Sequence, residues 1–239
     1  MSEYAIVTGG SQGIGAGICR RLKSEGLTPI IFDRVTPEDS GIGEFRAVDL
    51  ANIEETQAAL DWALGLGPVS RLVNNVGVVI PALLEDTSLK DFDALMALNV
   101  RCAIQCTQAV VQGMRARKLG RIVNIASRAA LGKALRTNYS ASKAALIGLT
   151  RTWSLELAPD GITVNCICPG PIATELYKNA NPADSPRTIA SLATIPAGRI
   201  GTPEDIAQAA AFFLDANSGF INGQTLYVCG ASSVGRSGV

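Results

Sequence analysis

Tyr139 and Lys143 have the residue types and the spacing to move a proton. Four apart on a helix, their side chains lie on one face, one turn from each other. A phenol titrates near pH ~10 and an ammonium near ~10.4, so neither exchanges protons readily alone at neutral pH. A fixed positive charge beside the phenol stabilises the phenolate and brings the tyrosine toward the working range. The 239 residues include no histidine, so any acid–base chemistry falls to Tyr, Lys, Cys, Asp or Glu. An isolated Tyr-x-x-x-Lys also describes an aromatic ring packed on a lysine stem. The surrounding elements decide between the two.

Strand-like and helical runs alternate from end to end. Tyr4–Thr8 reads as a strand, Ile14–Glu25 as a helix, and Leu27–Asp33 and Phe45–Val48 as strands. Ile53–Leu64 is a helix before the strand Val69–Asn74, and one long helix spans about Leu89–Arg117. The strand Arg121–Ser127, the helix Asn138–Leu157 and the strand Thr163–Cys168 follow. The helix Pro203–Leu214, with Glu204 and Asp205 in its first turn, precedes a last strand, Gln224–Val228. This rhythm predicts an α/β fold: a Rossmann-like, doubly wound parallel sheet of about seven strands flanked by helices. Residues 1–239 read as a single domain. Between Asp33 and Phe45 the sequence is too rich in Pro, Gly and Asp for a helix, so that crossover reads as an irregular loop.

The first strand runs into Thr8-Gly9-Gly10-Ser11-Gln12-Gly13-Ile14-Gly15 and then a helix. Glycines at this turn let backbone amides approach a pyrophosphate, and the helix N-terminus adds the positive end of its dipole. The second strand ends in Asp33, which can accept hydrogen bonds from adenosine ribose hydroxyls. It also opposes a 2′-phosphate, since like charges ~4 Å apart repel by roughly 4 kcal/mol at an effective dielectric near 20. Arg34 could offset that by holding a phosphate, but a solvated surface charge is the preferred reading.

Taken in order, Thr8-Gly-x-x-x-Gly-Ile-Gly15, Asn74-Asn75-Val76-Gly77, Asn99, Ser127, Tyr139-x-x-x-Lys143 and Pro169-Gly170 make the chain resemble the short-chain dehydrogenase/reductase family. The resemblance covers Tyr4 to about Gly230. Val76, where alanine is usual, and the shortened segment after Asp33 depart from the pattern. The resemblance implies catalytic roles for Asn99, Ser127, Tyr139 and Lys143. Tyr139 would be the acid/base, and Lys143 would depress its pKa and hold the ribose. Ser127 would hydrogen-bond the reacting oxygen, and Asn99 would hold a relay water. It implies cofactor contacts by Gly9, Ser11, Gln12, Gly13, Ile14, Gly15, Asp33 and Arg34. Further contacts are implied for Asp49 and Leu50 at the adenine, Asn75 and Gly77 at the ribose, and Pro169, Ile172 and Thr174 at the nicotinamide. For Asp49 a cap on the helix near Ile53 is the alternative. Gln12 and Asp33 favour NAD over NADP, and by analogy the B-face hydride is transferred.

The expected reaction interconverts a secondary alcohol and a ketone. The alternatives are an NADPH-dependent 3-oxoacyl-thioester reductase and, more remotely, a non-catalytic nucleotide sensor on the same fold. Arg128, Lys133 and Arg136 place positive charge between Ser127 and Tyr139, so Arg128 or Arg136 is expected to meet an anionic substrate, with Val79 on the pocket wall. The variable substrate loop is placed at about residues 173–199, with a lid at Asn179–Arg187. Lysine plus arginine and aspartate plus glutamate number 21 each, which gives no general pull toward nucleic acid or an anionic membrane. No uninterrupted apolar run reaches the ~18 residues of a membrane span, and the N-terminus does not read as a signal peptide. The six cysteines read as small core residues rather than metal ligands, in keeping with a reducing cytoplasm. By resemblance the assembly is a homotetramer, with Ala103, Ala109 and Val110 on one helix and Ala144, Ala145, Leu146 and Leu149 on another as candidate apolar faces.

Overall fold

A strand buried on both faces places alternate residues in different cores, and the computed structural model shows that division strand by strand. It describes residues 3–175, 177, 182, 185, 188, 190 and 192–234; most of the expected lid lies outside the described residues. Seven parallel strands form one sheet: β1 (Tyr4–Thr8), β2 (Thr28–Asp33), β3 (Glu44–Ala47), β4 (Val69–Asn74), β5 (Gly120–Ile125), β6 (Ile162–Pro169) and β7 (Thr225–Val228). Their spatial order is β3-β2-β1-β4-β5-β6-β7. On β1, Ile6 points into one core, and Ala5 and Val7 into the other.

The helices cover these faces as amphipathic layers. Ile18, Cys19 and Leu22 of α1 (Gly13–Ser24) share a core with Ile206, Ala210 and Phe213 of α6 (Pro203–Leu214). The opposite core takes Leu60 of α2 (Ile53–Leu66) and Cys102, Cys106, Val110 and Met114 of α4 (Cys102–Arg117). Leu146 of α5 (Thr137–Leu157) packs beside Ala103, Cys166 and Cys168. All six cysteines are buried and free. The 34–43 segment is irregular and delivers β3 parallel to β2, as its Pro and Gly content predicted.

The long helix expected over Leu89–Arg117 is not uniform. It divides into α3 (Leu89–Met96), a π-helical turn (Ala97–Arg101) and α4, so Asn99 sits in a local widening rather than a regular helix. By length and composition the 29-residue stretch could cross a membrane, its most apolar 18-residue window having mean hydropathy 1.3. Its apolar side is instead spent on the sheet. Ala103, Val110 and Leu146, considered above as subunit-contact residues, also face inward. Ala144 is exposed, and Ala145 and Leu149 are half-buried.

Two arginines on adjacent strands, Arg71 and Arg121, pair in register and are 4% and 3% exposed. They fill the end of the sheet opposite the glycine loop and donate to the carbonyls that close α6. Arg71 reaches Leu214 O, and Arg121 reaches Asp215 O at 3.1 Å and Ala216 O at 2.7 Å. Cations at a helix C-terminus meet the negative end of its dipole and its unsatisfied carbonyls. Burial lowers the pKa of both groups. Arg121→Met should therefore cost about 3 kcal/mol in urea unfolding, because several buried carbonyls lose their donor. A loss below about 1 kcal/mol would show that water replaces the guanidinium.

Candidate active site

The C-terminal ends of β1 and β4 part around a crevice, because the chain leaves β1 toward β2 on one side and returns to β4 on the other. The glycine loop lines this crevice and is held by side chains from both sides. Asn75 donates through Nδ2 to Thr8 O and Gly9 O, each at 2.9 Å. Thr8 Oγ1 accepts from the amides of Asn75 and Val76 at 3.0 and 3.1 Å. Asp33 accepts from Ser11 N at 3.1 Å through Oδ2, and from Arg34 N at 2.7 Å through Oδ1. Thr8 was not among the expected site residues, and its work lies in tertiary hydrogen bonds that a strand-end threonine does not advertise.

The loop meets the requirements of a dinucleotide phosphate. A Cβ at Gly15 would lie 2.0 Å from Gly9 O, so only glycine lets the helix start so close to the strand. Gln12 caps α1 without a side-chain bond, and the first turn of α1 holds no acid, so its amides remain directed at the crevice. Ser11 Oγ is buried with no hydrogen-bond partner among the described residues. Such an orphaned hydroxyl is costly unless a ligand satisfies it. Thr174 closes against the loop from the far side: a Cβ at Gly13 would come within 2.9 Å of its Cγ2. Ile172 is buried and bridges to Gly201, while Pro169 ends β6. Leu50 is buried and Arg34 exposed. Asp49 does not cap α2; Asn52 does, accepting from Glu55 N at 3.0 Å. The Asp49 carboxylate instead accepts from Ala51 N at 3.0 Å.

The second half of the site gathers beyond β4 and β5. Lys143 is 2% exposed, and its ammonium donates to Ile125 O at 2.8 Å and stands 5.7 Å from the Tyr139 ring centre. Asn99, opened outward by the π turn, accepts from Val78 N at 2.9 Å and donates to Val78 O at 3.0 Å and Ser142 Oγ at 3.1 Å. Ser142 Oγ donates in turn to Tyr139 O at 2.8 Å, which ties the asparagine to the tyrosine's helix. Ser142 was another unforeseen member; nothing in its type separates it from an ordinary helix serine. A Cβ at Gly77 would sit 3.1 Å from Lys143 Nζ and 3.2 Å from Asn99 Oδ1, so Gly77 leaves the space these groups share. Val79 is half-buried on the same segment. Ser127 lies just past β5 and accepts from Ala129 N at 3.1 Å, capping a short 3-10 turn (Arg128–Leu131).

The electrostatics differ from the expectation that Lys143 depresses Tyr139. Burial pushes the phenol up, while the Ser127 hydroxyl and the charge of Arg136 pull it down less strongly. Lys143 is turned toward Ile125 O, and burial lowers its own pKa to about 8. A buried cation without a counter-charge destabilises the fold that contains it. Between pH 8 and the unfolded value near ~10.4 the unfolded chain binds the extra proton, so stability rises with pH across that window. Lys143→Met lacks this dependence. The stability of wild type relative to Lys143→Met should therefore improve by on the order of 3 kcal/mol between neutral pH and the unfolded lysine pKa. Chemical denaturation of the cofactor-free protein measures it, and a flat difference would contradict a buried, charged Lys143.

A sequence model of the short chain dehydrogenase family matches residues 3–185. The chain is 36% identical over 244 residues to a hydroxy(phenyl)methylsuccinyl-CoA dehydrogenase subunit, BbsD, of Thauera aromatica, covering 98% of this chain and 97% of that one. It is 36% identical over 241 residues to the 3-oxoacyl-(acyl-carrier-protein) reductase FabG of Vibrio cholerae, covering 95% and 96%. A solved structure from Beutenbergia cavernae, assigned as an NAD(P)-dependent gluconate 5-dehydrogenase and holding NADP at low occupancy, superposes with TM-score 0.90 at 32% identity. That match covers 98% of this chain and 97% of the other. The motifs, the sheet order and these relatives agree: the chain belongs to the short-chain dehydrogenase/reductase family and is an oxidoreductase.

Proposed function

We propose that the chain interconverts a secondary alcohol and a ketone with NAD(H), using Tyr139 as the proton donor and acceptor. The observation that carries this reading is the convergence of Ser127, Tyr139, Lys143 and Asn99 beside a crevice with an uncapped helix N-terminus and an orphaned Ser11 hydroxyl. A nicotinamide dinucleotide bound there supplies or accepts the hydride. Ser127 orients the reacting oxygen toward Tyr139. The phenol, held neutral by burial, donates its proton to a ketone oxygen in reduction and recovers it from the alcohol in oxidation. Lys143 faces the space beside Gly77, where ribose hydroxyls would take its remaining donors. Asn99 holds Val78 and the tyrosine's helix in register and stands where a relay water would reach Lys143.

The Asp33 carboxylate at the end of β2 supports NAD, because a 2′-phosphate would meet its charge. The Vibrio cholerae relative and the NADP held by the Beutenbergia cavernae protein favour a second reading, an NADPH-dependent reductase of 3-oxoacyl thioesters. Both relatives named above act, by their names, on acyl thioesters, and the solved neighbour on a sugar acid, which supports an anionic substrate here. The six free buried thiols support a reducing cytoplasmic setting. The exposed Ala144 and Leu155 on α5 support assembly into a homotetramer.

Tyr139→Phe should retain NADH binding and lose turnover by about 10³-fold, since general acid–base catalysis contributes on that scale; near-normal turnover would remove Tyr139 from the reaction. Titration of nicotinamide fluorescence should show NADH binding about tenfold tighter than NADPH, and Asp33→Ser should erase that preference. Tighter NADPH binding to the wild type would move the thioester reductase reading to first place.

A further inference from the structure

Three cations lie between Ser127 and Tyr139, and their surroundings separate them. Arg128 donates to Ser232 O at 3.3 Å and is tied to the turn after β7. Lys133 is exposed on the connection leading to α5. Arg136 is half-buried at the N-cap of α5, three residues before Tyr139 and so one helical turn away on the same side.

No ion pair or helix-dipole gain among the described residues accounts for a cation at Arg136. A positive charge at a helix N-terminus opposes the dipole of α5. Its side-chain hydrogen bond among the described residues goes only to the neighbouring carbonyl, Leu135 O, at 2.9 Å. Among the described residues no carboxylate forms an ion pair with it. The backbone delivering it is strained: Leu135 has φ 63°, a left-handed conformation that L-residues rarely adopt. That conformation is held from outside, by Ala82 N donating to Leu135 O at 3.3 Å and a parallel bridge between Ala82 and Arg136. Ala82 follows Val78–Pro81, the segment whose start is pinned by Asn99. Strain maintained around an unpaired, half-buried cation next to reacting groups points to a ligand.

We infer that Arg136 is a specificity residue that receives a carboxylate borne on the substrate's own carbon chain, a few bonds from the reacting carbon. The substrate class is a hydroxy acid or its keto acid. This rests on Tyr139 being the proton-transferring group, as proposed above. One helical turn separates the two side chains, so a substrate whose oxygen meets Tyr139 presents a nearby carboxylate to the guanidinium fork. The Arg136 charge already reaches the phenol, and a carboxylate that neutralises it would be felt there.

Binding without turnover tests the inference. The probes are short 2-, 3- and 4-hydroxy acids, each beside its methyl ester, added to NADH-saturated protein that cannot oxidise them. The readout is the phenol-carbon NMR signal of Tyr139 in ¹³C-tyrosine-labelled protein, identified by its loss in Tyr139→Phe. At least one acid should shift the wild-type signal and bind about tenfold more tightly than its ester, the scale of one charge-assisted contact. Arg136→Gln should reduce that ratio to near one, Arg136→Lys should keep part of it, and Arg128→Gln should leave it intact. A preference that survives Arg136→Gln, or disappears in Arg128→Gln, overturns the assignment, as does an absence of any acid preference in the wild type. The same comparison in cofactor-free protein keeps the answer separate from the cofactor reading, which fails visibly if NADH does not bind. Failure of the acid–base reading shows separately, as turnover retained in Tyr139→Phe.

Discussion

The clasp between β1 and β4 holds the molecule's working end together. Two parallel strands that send their chains to opposite sides of a sheet leave backbone groups exposed where they part. Thr8 and Asn75 satisfy those groups across the gap, with hydroxyl to amides and carboxamide to carbonyls. Asp33 adds a third support from β2 by accepting the Ser11 amide. The glycine loop is thereby fixed before any ligand arrives, which limits the ordering cost of binding. Asp33 serves the fold through this bond, and the choice of dinucleotide proposed for it would be coupled to that structural role.

Charge is distributed around Tyr139 in an uneven way. Lys143 lies deep, directed at Ile125 O, and its burial works against its own charge. Arg136 lies on the outer side, and its field, with the Ser127 hydroxyl, is what lowers the phenol's proton affinity against burial. The inner cation faces the space beside Gly77, and the outer one stands at the N-cap of α5. A ligand that compensates either charge changes the tyrosine's environment, which links recognition to proton transfer through ordinary electrostatics.

The π turn at Ala97–Arg101 joins the same machinery. One extra residue in a helical turn frees a side chain to point where a regular helix would not send it, and Asn99 uses this to bond both polar groups of Val78 and the Ser142 hydroxyl. The widening therefore ties the segment after β4 to α5. The sequence placed Asn99 inside a helix, and the family resemblance implied that it holds a relay water. Neither could supply the partners, because Val78 offers only its peptide group and Ser142 is unremarkable by type.

The sheet was legible in the residues because burial on both faces leaves continuous apolar runs, and the glycine spacing and Tyr-x-x-x-Lys pattern are local constraints on backbone approach and helix face. Those signals also marked the irregular segment after Asp33, where Pro and Gly preclude a helix. Position relative to distant elements was not legible. Asp49 and Asn52 are both good capping residues, and only the chain's path into α2 made Asn52 the cap. Arg128 and Arg136 were equal candidates until the fold tied Arg128 to Ser232 and left Arg136 beside the phenol. Sequence alone determined the strand order's raw material and marked the groups proposed to react, since these signals depend on neighbours within a turn or a strand. Tertiary structure decided which charges face each other, because pKa and recognition depend on burial and on distances between residues far apart in the chain.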